Sequence, residues 1–262
     1  MSDDEPVLVR EQRGAVLVLR MNRPDARNAL NGELMGALGS AMAEAEADVG
    51  IGAVVLTGTG DRAFCAGMDL RSFAEGGAAP SADEQEAMAV FGRFMSTGEV
   101  AVPVVGAANA TAVAGGFELL LACDVVVASN QAKFGLPEVK RALFAAGGGM
   151  FISNRIPLAV ALELTMTGDT IDAERAMALG LVNQIVPADQ VIDAAVAMAE
   201  RIARNGPLAL QATKELVRMA VSDPVKAREK QAEWVPKVFG SEDAKEGATA
   251  FIEKRDPVWK GR

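Results

Sequence analysis

Short apolar runs that alternate with longer helical patterns are the feature that most constrains this sequence. The runs contain few polar residues and are too short for helices, so they are typical of buried strands. They lie at residues 53–57, 102–105 and 125–128. Helical spacing appears between and around them, at residues 28–47, 83–97 and 115–122. This alternation predicts an α/β fold with mixed sheets.

The N-terminal segment departs from this alternation. Apolar runs at residues 7–10 and 15–21 are separated by Arg13 and Gly14, which predicts a β-hairpin. Residues 76–81 are rich in Gly, Ala, Pro and Ser and predict a loop between two helical patterns.

The chain is predicted to divide near residue 195. Residues 1–195 would form the α/β core, and residues 196–262 would form a helical region. From about residue 158 to the end the spacing is helical throughout, with Pro187 and Pro207 at positions where helices should start.

Charge and cysteine content exclude several partners. A formal net charge of -9 argues against nucleic acid or an anionic membrane as the main partner. Cys65 and Cys123 give neither a disulfide framework nor a metal-binding spacing, and they are typical of a reducing compartment. The acidic N-terminal residues do not resemble a signal peptide, so a cytoplasmic location is expected. The longest uncharged stretch, residues 100–117, contains proline, asparagine and glycine and does not suit a membrane span.

The sequence contains no histidine and no tyrosine. A Ser-His-Asp or Cys-His mechanism is therefore excluded, as is any metal held by histidine. Proton transfer is left mainly to aspartate, glutamate or lysine.

Two glycine-containing turns after predicted strands are candidates for an oxyanion hole. At residues 114–118, Gly115 lies at the start of a helix, where free N–H groups favour negative charge, and Glu118 lies about one turn further on. The alternative is a tightly packed turn with Glu118 in solvent. At residues 66–69, the N–H near Met68 could supply the second donor, whereas the alternative is an ordinary loop in which Asp69 caps a helix.

Glu138 is the third candidate. Pro137 fixes the chain before it, and the following run to residue 151 is mostly apolar. Partial burial there would raise the pKa of Glu138 and suit it to proton donation. The alternative is a surface glutamate paired with Lys140 or Arg141.

Six segments in this order resemble the crotonase (enoyl-CoA hydratase/isomerase) superfamily along nearly the whole chain. They are N-R-P-D-A-R-N-A-L at 22–30, A-F-C-A-G-M-D-L at 63–70, A-G-G-F-E-L-L-L-A-C-D at 114–124, F-G-L-P-E at 134–138, G-L-V-N-Q-I-V-P at 180–187 and A-F-I-E-K-R at 250–255. The resemblance implies a spiral of repeated ββα units with a C-terminal helical region. It also implies that the core holds the active site, and that the helical region supplies contacts in a homotrimer or a hexamer formed by two trimers.

The same resemblance implies an acyl-CoA substrate and no separate cofactor or metal. The backbone N–H groups of Met68 and Gly115 would hold the thioester carbonyl. Glu118 would orient and deprotonate water, and Glu138 would exchange the proton at the α carbon. Four residues would contact CoA or the substrate: Arg23, Arg27, Ala66 and Lys254. Residues 10–28 carry five arginines against Glu11 and Asp25, a local charge of +3 in an acidic chain.

One departure from the family pattern leaves the reaction type and the acyl specificity open. Alanine stands at 142, 145 and 146, where many family hydratases have glycine, proline and glycine. Hydration of a 2-enoyl-CoA is the leading interpretation because both glutamates are retained. The alternatives are a Δ3-Δ2 enoyl-CoA isomerase and a non-catalytic acyl-CoA-binding protein.

Overall fold

The computed structural model describes residues 5–75 and 81–262, so the loop predicted at residues 76–81 lies outside the described residues except for Ser81. Nine strands occur in the described part: β1 (Leu8–Arg13), β2 (Val16–Met21), β3 (Ala53–Gly58), β4 (Val104–Ala108), β5 (Ala112–Val113), β6 (Val125–Ser129), β7 (Lys133–Gly135), β8 (Ile171–Asp172) and β9 (Gln184–Val186). The same residues form ten α-helices: α1 (Gly32–Ala47), α2 (Leu70–Glu75), α3 (Ala82–Thr97), α4 (Gly115–Ala122), α5 (Leu158–Thr167), α6 (Ala173–Ala178), α7 (Val191–Ala203), α8 (Pro207–Ser222), α9 (Pro224–Phe239) and α10 (Glu242–Glu253).

The central sheet has six strands in the order β1-β2-β3-β4-β6-β9. The predicted hairpin is present: β1 and β2 pair antiparallel, and Gly14 supplies the positive φ of 59° that the turn needs. From β2 to β9 every neighbouring pair is parallel. Parallel strands require covered faces on both sides, which explains the uninterrupted apolar runs in the sequence.

Alternate residues of these strands pack on opposite sides of the sheet. Val16 and Val18 of β2 join the cluster formed with α7. Leu17 and Leu19 join the larger cluster, which includes the buried faces of α1, α3 and α4. The period of two along each strand therefore separates two cores, one on each face.

A second, three-stranded sheet has the order β5-β7-β8, and an isolated parallel bridge joins Cys65 to Ala112 of β5. Three strands of the central sheet are thus each followed by a short segment that pairs in or beside the second sheet: Cys65 after β3, β5 after β4, and β7 after β6. This repetition confirms the predicted spiral of ββα units.

The prediction that the chain is helical from about residue 158 is wrong at two places. β8 has two residues and β9 has three, and β9 pairs with β6 at the edge of the central sheet. Strands this short carry no readable period, and only their pairing partners define them. The helix predicted from residue 28 begins instead at Gly32, because the Asn31 side chain accepts a hydrogen bond from the Leu34 N–H and caps α1.

The division expected after residue 195 lies inside α7. Four residues of this helix, Val191, Ala195, Val196 and Ala199, are buried against the central sheet. The part of the chain packed on the sheet therefore continues to α7, and the helices beyond it begin with Pro207 at the first position of α8. No helix in the part of the chain described here is long and apolar enough to cross a membrane.

A partly buried ion cluster attaches α8 to the core. Asp124 follows α4, and its carboxylate lies 2.7 Å from Lys214 Nζ and 2.9 Å from Arg218 Nε. The Lys214 side chain is only 8% exposed, and burial lowers its pKa while Asp124 opposes this effect. Arg218 also donates to the carbonyl oxygens of Thr97 and Ala122, at the C-terminal ends of α3 and α4.

Removing the charge of Asp124 should strongly destabilise the fold. Asp124→Asn keeps the shape of the side chain but leaves Lys214 and Arg218 without a counter-charge, so we expect the free energy of unfolding to fall by about 3–5 kcal/mol. Asp169→Asn is the matched control, because Asp169 pairs with Lys140 at an exposed site and should cost about 1 kcal/mol or less. Urea unfolding of both variants measures the difference, and equal losses would contradict the assigned role of the cluster.

Candidate active site

The first residue of α4 presents an N–H group without an acceptor. Ala114, the N-cap, has φ 52° and ψ −134°, a conformation that glycine favours and that strains an alanine. Its carbonyl accepts hydrogen bonds from the N–H groups of Phe117 and Glu118. The N–H of Gly115 belongs to the same peptide as that carbonyl and points the opposite way. It has no intrahelical acceptor, as expected at a helix start, and none among the other described residues.

The turn that carries Met68 lies against this helix start. Gly67 has a φ of 91°, and a Cβ atom placed on it would lie 2.7 Å from Ala114 Cβ and 3.1 Å from the Gly115 nitrogen. Within the described residues the N–H of Met68 also has no hydrogen-bond acceptor. The structure therefore brings together the two turns that were predicted to supply N–H donors.

Glu118 is 4% exposed and lies in the first turn of α4. Its Oε1 atom accepts hydrogen bonds from the N–H groups of Gly147 and Gly149, both at 2.9 Å. Burial raises the pKa of Glu118, and the two N–H groups oppose this effect. A Cβ atom on Gly147 would lie 3.0 Å from the Glu118 carboxyl group, so glycine permits the close approach. The alternative in which Glu118 lies in solvent is thereby excluded.

Glu138 lies in a 3-10 turn, Pro137–Arg141, and is half-buried. Its Oε2 atom is buried and has no hydrogen-bond partner among the described residues. Burial raises the pKa of Glu138, its own backbone N–H lowers it, the negative charge of Glu118 raises it, and Arg141 lowers it. Lys140 is paired with Asp169 instead. The two predicted carboxylates are thus electrostatically coupled, and they differ in hydrogen bonding.

The three alanines that depart from the family pattern lie in sequence between Glu138 and the glycines that donate to Glu118. Ala142 ends the 3-10 turn with a φ of 56°, a strained value where glycine would be relaxed. Ala145 is buried, and a Cβ atom placed on Gly149 would lie 2.7 Å from the Cβ atom of Ala145. Ala146 is exposed. The glycine N–H groups that hold Glu118 are therefore in place despite the three alanines.

Residues predicted to contact CoA lie in different environments. Arg23 is engaged: its guanidinium pairs with Asp69 at 2.9 Å and donates to the Ala29 carbonyl. Arg27 is exposed and forms no ion pair with a carboxylate of the described residues. Ala66 is half-buried, and its N–H donates to the Arg27 carbonyl, which links the Met68 turn to the loop that carries Arg27. Lys254 ends α10 with a left-handed φ of 56° and is exposed.

Other reactive groups near the site are accounted for by packing. Cys65 and Cys123 are fully buried, and burial raises the pKa of each thiol to about 12, so neither is a ready nucleophile. Within residues 5–75 and 81–262, no group of three or more Asp, Glu or Cys side chains is arranged to hold a metal ion.

A cavity of about 1130 Å³ opens beside the glycines that hold Glu118. Gly148 and Met95 line it, and the Met95 methyl group would lie 3.3 Å from a Cβ atom placed on Gly115. Leu121 and Ile152 continue the apolar wall, and Arg218 of the ion cluster lines another part. None of Met68, Gly115, Glu118 and Glu138 lines this cavity, so it adjoins the site only through Gly148 and Met95.

Residues 11–262 match the model of the Enoyl-CoA hydratase/isomerase family. The chain belongs to this family. The match covers both carboxylates and both turns described above, so the earlier resemblance is confirmed.

Individual relatives agree with this assignment. The chain is 37% identical over 256 residues to a carnitinyl-CoA dehydratase of Proteus mirabilis, which covers 95% of this chain and 97% of that protein. An enoyl-CoA hydratase of Mycobacterium tuberculosis superposes with a TM-score of 0.87 at 42% identity, over 98% of this chain and 100% of that one. A carnitinyl-CoA hydratase of Mycobacterium avium superposes with a TM-score of 0.76 at 43% identity, over 98% of this chain and 100% of that one. The family relatives named here are hydro-lyases, and the chain is an enzyme of that family.

Three features of the site carried no usable signal in the sequence. An alanine at position 114 does not reveal that the backbone there is strained. The Arg23–Asp69 pair joins residues 46 positions apart. The hydrogen bonds from Gly147 and Gly149 to Glu118 span 29 and 31 positions, so no local pattern reveals them.

The charges around Glu138 predict how its pKa responds to substitution. Arg141→Gln removes a positive charge that favours the carboxylate, so the pKa of Glu138 should rise. Glu118→Gln removes a negative charge, so that pKa should fall. Lys140→Gln is the control and should leave it nearly unchanged. Carbon-13 NMR titration of labelled glutamate carboxyl groups measures all three, and no response to Glu118→Gln would contradict coupling of the two carboxylates.

Proposed function

We propose that this enzyme catalyses the reversible addition of water to a 2-enoyl-CoA thioester. The observation that carries the proposal is the pair of interacting carboxylates, buried Glu118 and half-buried Glu138, in a site with two N–H groups that lack acceptors among the described residues. Addition of water to an enoyl thioester needs both kinds of group. The N–H donors bind the carbonyl oxygen, a base takes a proton from the water that attacks the β carbon, and an acid gives a proton to the α carbon. Family membership supports the same chemistry.

The N–H groups of Met68 and Gly115 would hold the thioester carbonyl oxygen. Each donor in such a hole stabilises the developing enolate charge by about 3–4 kcal/mol where one has been removed by mutation. Each N–H is the free end of a peptide whose carbonyl is already hydrogen-bonded, which supports a preorganised site.

The two carboxylates would divide the proton transfers. Glu118, oriented by Gly147 and Gly149, accepts a proton from water, whose oxygen bonds to the β carbon. Glu138 donates a proton to the α carbon. Its raised pKa and its unpaired Oε2 atom support this role. Solvent then restores both groups, and dehydration follows the same steps in reverse.

The competing functions make different use of the carboxylates. A Δ3-Δ2 enoyl-CoA isomerase needs one glutamate to move a proton between carbons, and a non-catalytic acyl-CoA-binding protein needs neither. The retention of both glutamates, with Glu118 buried and Glu138 half-buried under the influence of its charge, supports hydration.

Arg27, Ala66 and Lys254 remain the proposed contacts to CoA. Arg27 is exposed without an ion pair to any described carboxylate, and its side chain can bind phosphate. The reaction as proposed needs no cofactor beyond the CoA carried by the substrate. The two free, buried thiols suit a reducing cytoplasm, where we propose the enzyme works.

We also propose that the protein assembles as a homotrimer or as a hexamer of two trimers, and that the helices from α8 onward supply the contacts. Phe239, Phe251 and Ile252 of α9 and α10 are 79%, 87% and 78% exposed in the single chain. Large apolar side chains exposed this far favour burial against another subunit.

Light scattering should give a mass of three or six times the 27.3 kDa chain. Phe251→Asp should lower that mass because it puts a charge in the apolar contact. A stable monomer at micromolar concentration would reject the assembly.

Substitution of either carboxylate should slow hydration of crotonyl-CoA. Glu118→Gln and Glu138→Gln should each lower kcat by about two to four orders of magnitude with a modest change in KM. Glu163→Gln, at an exposed ion pair with Arg175, is the matched control and should keep normal kinetics. Near-normal hydration by either site variant would refute its role. With a 3-enoyl-CoA as substrate, isomerisation that is lost only in Glu138→Gln would favour the isomerase.

A further inference from the structure

Arg23 and Asp69 form an ion pair beside the Met68 turn. The Arg23 side chain is 19% exposed and the Asp69 side chain 16%, so both are largely withdrawn from solvent. The guanidinium spans two elements, because one nitrogen donates to the Ala29 carbonyl and another to Asp69 Oδ2. The other Asp69 oxygen accepts from the N–H groups of Arg71 and Ser72. The pair therefore fastens the segment before α1 to the segment before α2.

Backbone hydrogen bonds at the same place fix the peptide of Met68. The Leu30 N–H donates to the Gly67 carbonyl, and the Asp69 N–H donates to the Leu30 carbonyl, both at 2.8 Å. Residue 30 thus contacts the backbone on both sides of Met68. The Gly67 carbonyl and the Met68 N–H belong to one planar trans peptide and point in opposite directions. Fixing the carbonyl on Leu30 therefore directs the Met68 N–H away from that segment.

The alternative role for Arg23, binding a CoA phosphate, conflicts with these contacts. Its guanidinium already has a carboxylate and a carbonyl as acceptors. The remaining N–H donors belong to a side chain that is only 19% exposed, and a phosphate that drew the guanidinium away from Asp69 would leave that carboxylate largely buried without its counter-charge. Arg27, on the same loop, is exposed and has no such pair among the described residues.

We propose that Arg23 and Asp69 are positioning residues that hold the Met68 N–H in line with the thioester carbonyl, and that Arg27 alone of the two arginines serves the CoA phosphates. This inference rests on the proposed function, because it assigns the Met68 N–H to the carbonyl. Substitutions of the two arginines should then have different effects. Loss of Arg23 should weaken polarisation of the thioester carbonyl, and loss of Arg27 should weaken binding of the nucleotide part of CoA.

The experiment compares Arg23→Gln, Asp69→Asn and Arg27→Ala with crotonyl-CoA and with crotonyl pantetheine, which lacks the nucleotide phosphates. Arg23→Gln and Asp69→Asn should each lower kcat about ten- to a hundredfold with both thioesters, less than the loss of a whole donor, while KM changes little. Arg27→Ala should raise KM for the CoA thioester only. Arg10→Gln is the control, because Arg10 pairs with Glu44 in the same basic segment and should change neither parameter.

A spectroscopic readout tests alignment without turnover. A conjugated 2,4-dienoyl-CoA should shift its absorbance to longer wavelength when the carbonyl is polarised in the wild-type site. Arg23→Gln and Asp69→Asn should reduce this shift, and Arg27→Ala should keep it. Arg23→Lys, which retains the charge but not both contacts of the fork, should lie between wild type and Arg23→Gln and covers the case in which Arg23→Gln does not fold.

The outcomes separate the inference from the proposed function. If the wild type shows the shift but does not hydrate enoyl-CoA substrates, the proposed function fails. The inference is then supported by a smaller shift in Arg23→Gln and Asp69→Asn than in the wild type. If Arg23→Gln and Asp69→Asn keep the wild-type shift and kcat, the inference is rejected. If Arg23→Gln instead raises KM only for the CoA thioester, Arg23 binds phosphate and the inference is rejected. A wild type that binds the dienoyl-CoA without a shift rejects the carbonyl site and the inference with it.

Discussion

Parallel backbone pairing between residues 64–65 and 111–113 is the interaction on which the candidate site depends. The Phe64 N–H donates to the Thr111 carbonyl at 2.9 Å, and the Val113 N–H donates to the Cys65 carbonyl at 3.2 Å. These bonds join two successive turns of the spiral, so the Met68 turn and the start of α4 follow at adjacent places. Gly116 permits this approach, since a Cβ atom there would lie 2.0 Å from the Cys65 carbonyl oxygen.

The two carboxylates owe their difference to the backbone around them. Glu118 lies in a regular helix and meets two glycine N–H groups, so its charge is partly compensated although the side chain is buried. Glu138 follows Pro137 in a 3-10 turn and has a buried oxygen without a donor in the described structure. The same residue type is thereby held in two different environments, one carboxylate with two glycine N–H donors and the other with an oxygen that has none, and acid and base roles require such a difference.

Local patterns in the sequence predicted those elements whose cause is local. The hairpin at Gly14 and the helix α4 follow from a turn residue and a glycine pair, and both were predicted within a few residues. β9 was missed because three residues next to helical spacing define a strand only through their pairing with β6. Residue types suggested Glu118 and Glu138, but the bonds to Gly147 and Gly149 depend on the path of the chain. The contact of Arg23 with Asp69 depends on that path as well, so the family resemblance placed Arg23 among the residues that contact CoA or the substrate.

The contacts of Arg218 also bear on the order in which parts of the chain can fold. This side chain joins α8 to acceptors that precede it by 94 to 121 residues, at the ends of α3 and α4. Loop closure over such separations is slow, and its entropic cost is recovered only when the partner is already formed. The sheet and α4 precede α8 in the chain, so they can fold before α8 is synthesised, and until α8 packs against them the cavity wall that carries Arg218 is missing. The nascent enzyme would pass through a stage with its carboxylates in place and that side of the cavity open to water.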